Sequence, residues 1–582
     1  MPPAGSAARR PPLPVAPTQV GRAARLAAVA EGLARRAGVE LPAGLALWPL
    51  AEADPGPPPG GAGDDGEPHL PPGRATGARL TATEAAWALV DALAGSLTAD
   101  EQRRGAHYTP RPLAHRVARA ALARGRRPGP VVDPACGGGS LLLAAGAALV
   151  AAGQAPAVVA RDLLWGADVD PLAAAVTEAA IALWSNGVAP AVGHVVVADV
   201  LLDGPAAWPA PPTGGFAAVV GNPPFQGQLS RATARSRDEL ARLRARFGDV
   251  VGPYVDTAAL FLLVGIELVA DAGRVAMVQP QSTASARDAG PVRAALAERA
   301  RLVELWAPVE RLFAARVHVC VPVLEAGSGG EPDWSRQVAA ARGVPALVRR
   351  PGPAAAVLGE RARVAGSFRD HHYGLVDHVA EAAPGERGHP LVTSGLVEID
   401  EMAWGRRPVR FAKRDWQLPV VDVAGVRASS RRLDGWLEVV LAPKLVVATQ
   451  TKVLEAAADP EGRWVATTPT VSVVPADPGE LERLLAAVCS PPASAWVAQR
   501  AAGSALSADA IRVTRGLLEA LPLPTDEPAW DDAVAALAAR DLHAYAAAAT
   551  AMHRLAPTAA RAVVEWWLPR ARSVWPTSEA LR

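Results

Sequence analysis

Three short apolar runs, each closed by an acid, constrain this chain more than any other feature. Val131-Val132-Asp133 leads directly into Pro134-Ala135-Cys136-Gly137-Gly138-Gly139-Ser140 and then an apolar helix from Leu141 to about Ala152. Roughly thirty residues later, Leu163 to Asp168 reads as a second strand ending in acids, followed by a helix to about Trp184. Val195-Val196-Val197-Ala198-Asp199 reads as a third. Strand, glycine-rich turn, helix, strand is the opening of a doubly wound α/β sheet, whose ligands lie at the carboxyl edge of the strands.

The chemistry on that edge follows from residue type. Glycines let backbone approach a ligand closely, and Asp133 can take a positively charged amino group. No lysine with Ser or Thr stands at P-loop spacing, which disfavours a nucleoside triphosphate. A carboxylate ending the second strand is the usual partner of ribose hydroxyls in this architecture, which selects Asp168; Asp170 is the alternative carboxylate or a cap of the next helix. Asp199 either accepts from an adenine amino group or closes a surface turn. Upstream, Thr81 and Glu84 form a capping box ahead of a helix over Ala85 to Leu97. Gly105-Ala106-His107-Tyr108-Thr109-Pro110 precedes another from about Pro112 to Ala123, where a hydroxyl at a helix start either caps or holds a carboxylate.

Further on, Phe216 to Val220 reads as a buried strand that ends in Gly221-Asn222-Pro223-Pro224-Phe225. Two prolines fix φ and stiffen the loop. It offers two acceptors, the Asn222 side-chain oxygen and the Pro223 carbonyl, beside the flat ring of Phe225. Those parts suit a planar exocyclic amine: both N–H bonds are taken, the nitrogen lone pair leaves conjugation, and the ring stacks on the base. A proline-stiffened turn is the plain alternative.

At 582 residues with half of them apolar and a fifth charged, the chain can build two or three cored domains. A formal net charge of +1 argues against a polycation. Cys136, Cys320 and Cys489 lie far apart, without metal-ligand spacing, as suits a reducing cytoplasm. No membrane-length apolar run or signal peptide is read. Lysine occurs only at Lys413, Lys444 and Lys452, all in one segment.

Together these motifs resemble the adenine-N6 DNA methyltransferases that carry a C-terminal target-recognition domain. The order Tyr108-Thr109-Pro110, Asp133 to Ser140, Gly166 to Pro171, Val195 to Asp199, then Asn222 to Phe225 is the family's, and the likeness covers roughly residues 80–325. It implies a Rossmann-like, S-adenosylmethionine-dependent methyltransferase sheet with helices on both faces, plus a C-terminal α+β target-recognition domain. It implies S-adenosyl-L-methionine as cofactor: Thr109, with Pro110, at the methionine carboxylate; Asp133, Ala135, Gly137 and Gly139 around the methionine portion; Asp168 at the ribose; Asp199 at the adenine. Asn222, Pro223, Pro224 and Phe225 would hold a flipped-out adenine, with Phe313 as a second aromatic against it. The family's usual Gly-Ser-Gly is Gly137-Gly138-Gly139 here, and its usual Tyr is Phe225. Double-stranded DNA is the implied partner, with a separately encoded restriction endonuclease or specificity subunit in a restriction–modification or phage-defence setting. Methylation of an RNA base or a protein glutamine amide, and a subunit that binds without chemistry, are the competing readings.

The expected organisation is a Pro/Gly/Ala-rich region over 1–77, a catalytic domain over 78–330, a connection over 331–390, a recognition-like domain over 391–526 and a helical tail over 527–582. Arg369-Asp370-His371-His372-Tyr373 matches no standard zinc spacing and reads as a polar loop; no metal is expected. Arg406, Arg407, Arg410, Lys413, Arg414, Lys444 and Lys452 form a basic cluster for phosphates or base edges, against the alternative of an ordinary solvated face. None of the three lysines has an acid two residues before it, so no nuclease signature of that kind is read in the chain.

Overall fold

Val131 and Val132 point to opposite faces of the first strand, yet both are wholly buried. A strand without a wet face must lie inside a sheet covered on both sides. A computed structural model describes residues 17–52, 79–98, 109–122, 128–225, 236–252, 254–308, 312, 318–327, 329–383, 388–502 and 510–575. The chain divides into two units, one over 1–306 and 311–333 and the other over 307–310 and 334–582.

In the first unit the strands are β1 (Val131–Asp133), β2 (Leu164–Asp168), β3 (Val195–Val197), β4 (Phe216–Gly221), β5 (Val269–Met277), β6 (Gln279–Pro280), β7 (Ala300–Trp306) and β8 (Val319–Ala326). Their order is β3-β2-β1-β4-β5-β8-β6, with β7 also pairing β8. β1 to β5 run parallel, and β8 runs antiparallel to β5 and β7. The sheet order reverses between β2-β1 and β4, the position where this architecture opens a ligand crevice.

The helices form where the apolar spacing is helical. α1 (Pro17–Ala37) buries Val20, Ala23, Leu26, Ala27, Ala30 and Leu33. α2 (Ala82–Gly95) opens with the Thr81–Glu84 capping box, both halves of which are made. α3 (Arg111–Ala121) starts at Pro110. α4 (Ser140–Ala151) follows the glycine turn, and α5 (Pro171–Trp184) is capped by Asp170, whose Oδ1 accepts from Leu172 N at 3.0 Å. α6 (Thr257–Leu268) is apolar nearly all round and packs on β5.

The second unit holds an antiparallel sheet ordered Ala456–Asp459, Lys444–Ala448, Thr470–Pro475, Ala362–Gly366. Its core is shared with helices Leu481–Val488, Pro491–Ala501, Glu527–Ala538, Leu542–Met552 and Pro557–Ala571, through Val447, Leu485, Tyr545 and Trp567 among others. The Ala-rich C-terminal helices therefore pack back on this sheet, because their apolar stripes have no other core to enter. A smaller sheet (Val379–Glu381, Pro419–Val421, His389–Val392, Val465–Ala466) adjoins a second core built on Phe411, Trp416 and Trp436.

Candidate functional site

Strand register brings the predicted residues to one edge. Val132 lies opposite Val219, so Asp133 at the end of β1 sits beside the Gly221-Asn222 end of β4. On the other flank Asp133 lies opposite Gly166, which brings in Asp168 two residues further along β2. Asp199 ends the neighbouring stretch after β3, whose Val197 lies opposite Asp168.

The turn after β1 is held from both sides. Cys136 N donates to Ala167 O at 2.9 Å, and Gly137 N donates to Asp168 Oδ2 at 2.8 Å. Ala135 N donates to Asp133 Oδ1 at 3.0 Å. Gly137 has φ of +52° and no atom within 4 Å of where a side chain would start, so this stretch of backbone faces open space. Gly139 has φ of +89°, and a Cβ there would stand 3.2 Å from Thr177. Thr177, fully buried on α5, also donates its hydroxyl to Gly137 O at 2.6 Å. Sequence reasoning passed over Thr177; a lone hydroxyl in an otherwise apolar helix face was the available signal.

The electrostatics follow from dryness. Burial pushes Asp133 up to about 8, against the Ala135 N–H, with the nearby Asp168 charge adding to the rise. Burial likewise pushes Asp168 up to about 6, although Asp170 N and Gly137 N both donate to it. Asp199 is raised by burial and spends one oxygen on capping, accepting from Leu202 N at 3.3 Å. A desolvated Asp133 beside open glycine backbone favours a cationic ligand, whose charge would replace the proton that acid otherwise keeps.

The Asn222 loop adds acceptors to that edge. Val278 N donates to Gly221 O at 2.8 Å and anchors the loop's start. Asn222 Nδ2 donates to Thr109 Oγ1 at 2.9 Å, which turns Oδ1 away from Thr109. Thr109 is itself buried at the start of α3. Pro223 is buried, Pro224 is half-buried, and Phe225 packs its half-buried ring against the unit's core. Tyr108 and Phe313 lie outside the described residues.

One member of the basic cluster needs correction. Lys444, expected at DNA, is fully buried in a sheet strand and pairs with Asp459 at 2.5 Å. It lies on one of the two inner strands of a four-stranded sheet, and the carboxylate partner makes the burial tolerable. Arg406 pairs with Glu401, Arg407 with Glu398, and Arg410 with Asp415. Lys413 and Lys452 are exposed. His371 and His372 face aromatic rings, Trp436 at 4.7 Å and Phe411 at 4.5 Å. Among the described residues no cluster of His, Cys, Asp or Glu suits a metal ion.

Residues 92–331 match the family model described as N-6 DNA Methylase. The match spans less than half of the chain. Among solved structures, the chain resembles the Type IIL restriction-modification enzyme MmeI, solved in complex with DNA. The identity is 13%, the TM-score is 0.51, and the match covers 87% of this chain and 81% of that one. At that identity the likeness shows the fold alone. The Type IIG restriction endonuclease BpuSI matches at 13% identity over 96% of this chain and 78% of that one, with a TM-score of 0.41. A modification subunit ascribed to a type I restriction enzyme of Vibrio vulnificus YJ016 matches at 19% identity and a TM-score of 0.34, over 44% of this chain. The chain spans 52% of that subunit's length. No curated protein matches.

Proposed function

We propose that this chain is a DNA methyltransferase acting on the N6 amine of adenine in duplex DNA, as the modification activity of a restriction–modification or phage-defence system. The observation that carries the reading is the Asn222–Thr109 hydrogen bond beside the Asp133 turn, because it joins an amine-gripping loop to a cation-binding edge in one site. The methylase family match over residues 92–331 supports it.

The residues fit S-adenosyl-L-methionine as cofactor. Asp133 is a dry acid suited to the donor's ammonium group, Asp168 offers acceptors for ribose hydroxyls, and Gly137 leaves room for close approach. Asp199 would accept from the donor's adenine, and Thr109 with Pro110 would face its carboxylate. When bound, that cofactor supplies a methyl group on a cationic sulfur. Asn222 Oδ1 and the Pro223 carbonyl accept the two N–H bonds of the target amine and hold its lone pair out of the ring. Phe225 stacks on the base, which is extruded from the duplex to reach the loop. The rate enhancement rests on positioning and on these two acceptors, with no covalent intermediate.

Double-stranded DNA is the partner in this reading, with a restriction endonuclease or specificity subunit acting from a separate chain. A cytoplasmic setting accords with it; no described helix is long and apolar enough to cross a membrane. The test is to incubate the protein with labelled donor and, separately, duplex DNA, RNA or protein. Label on DNA adenines, lost in Asn222→Ala, is the expected result; label on RNA or protein alone would overturn the assignment.

A further inference from the structure

The segment Phe368 to Val376 carries three of the large apolar side chains that the described residues leave exposed: Phe368 at 61%, Tyr373 at 67% and Val376 at 37%. These are not loose ends. Phe368 N donates to His371 Nδ1 at 3.2 Å, and buried His371 stacks on Trp436 with ring centroids 4.7 Å apart. Burial lowers the His371 pKa, which keeps the ring neutral and its Nδ1 able to accept. His372 lies 4.5 Å from Phe411, so the helix Arg369–Gly374 leans on the hairpin Val409–Phe411/Arg414–Trp416. The core thus holds the two histidines inward and pushes the two flanking aromatics out.

That hairpin is basic. From Arg406 to Arg414 the chain carries five cations, of which Arg406, Arg407 and Arg410 pair with Glu401, Glu398 and Asp415, leaving Lys413 and Arg414 at the turn. Its tip, Ala412-Lys413, turns through positive φ at both residues, and Lys413 is exposed. Arg414 lies over the Trp416 ring at 4.4 Å. Arg432, on the neighbouring helix, pairs with Asp370 at 3.0 Å. Water-facing aromatic rings beside a hairpin with exposed cations match a polyanion with stackable faces.

We propose that the Phe368–Tyr373 edge is a stacking wedge for duplex DNA, which contacts unstacked bases while the Lys413 hairpin tracks the phosphates. The proposal rests on the DNA-methylase reading and adds to it a contact surface in the second unit. Aromatic side chains of this kind enter base steps and exchange base–base for base–ring stacking. Counterion release belongs to the cations alone.

The two contributions separate in one experiment on the full chain. Fluorescence anisotropy with a pool of mixed-sequence duplexes, repeated over a salt series, is compared for wild type, Phe368→Ala/Tyr373→Ala and Lys413→Ala. The aromatic double variant should weaken binding about tenfold or more at an unchanged salt slope. Lys413→Ala should lower the slope by about one. Wild-type affinity in the double variant overturns the wedge while leaving the methylase reading intact. Wild type that binds no duplex at all overturns the DNA reading itself. Sedimentation of both proteins closes the remaining route: a wild-type dimer that the double variant dissociates shows a second copy on this edge and also overturns the wedge.

Discussion

Thr109 and Asn222 stand 113 residues apart in the chain and share one hydrogen bond, Nδ2 to Oγ1 at 2.9 Å. The bond fixes which end of the Asn222 amide faces the loop's open side. A residue read as a cofactor contact is thereby also the support of the residue read as gripping the target amine.

Thr109→Val keeps the shape of the side chain and removes the acceptor, so the Asn222 amide loses its orientation. Single-turnover methyl transfer should fall by ~10- to 100-fold, a loss in keeping with small misplacements of a catalytic group. Thr109→Ser should recover most of the rate. Equal rates for Val and wild type would show that the bond does not orient Asn222.

Gly139→Ala meets two obstacles, a φ of +89° and Thr177 at 3.2 Å from the new methyl. The left-handed conformation and the contact together should destabilise the protein by ~1–3 kcal/mol. Calorimetry should show a lower Tm, and Thr177→Ser, which shortens the neighbour, should restore part of it.

Asp133 holds its proton up to about pH 8 in the folded protein, against 3.8 for an ordinary Asp. The folded state therefore binds the proton more tightly than the unfolded state. Its contribution to stability is present at low pH and is lost as pH rises from near 4 to about 8. A cationic donor favours the ionised form, so donor binding near pH 7 should release a proton. Titration calorimetry in two buffers of different ionisation enthalpy reads that release directly. It should shrink in Asp133→Asn, where donor affinity should also drop.

Lys444→Ala leaves Asp459 buried without its cation, held only by the backbone N–H groups of Arg463 and Trp464. Breaking such a pair from one side costs about 3–5 kcal/mol, so chemical denaturation should show a large loss of stability. The salt slope of DNA binding should not change, because a fully buried ammonium releases no counterion. A smaller slope at wild-type stability would return Lys444 to the DNA-facing surface.

Local pattern by itself determined the strands, the glycine turn, the helix caps and the acids that end the strands. Those depend on interactions within a few residues: β-branched runs, the Thr81–Glu84 box, Asp170 ahead of Pro171. Tertiary structure alone decided which polar groups are dry and which side chains meet. Thr177 under Gly137, Thr109 against Asn222, and Lys444 turned inward to Asp459 all join residues brought together by strand order and packing. A lysine's letter carries its charge but not its burial, and burial is a property of the neighbours that folding supplies.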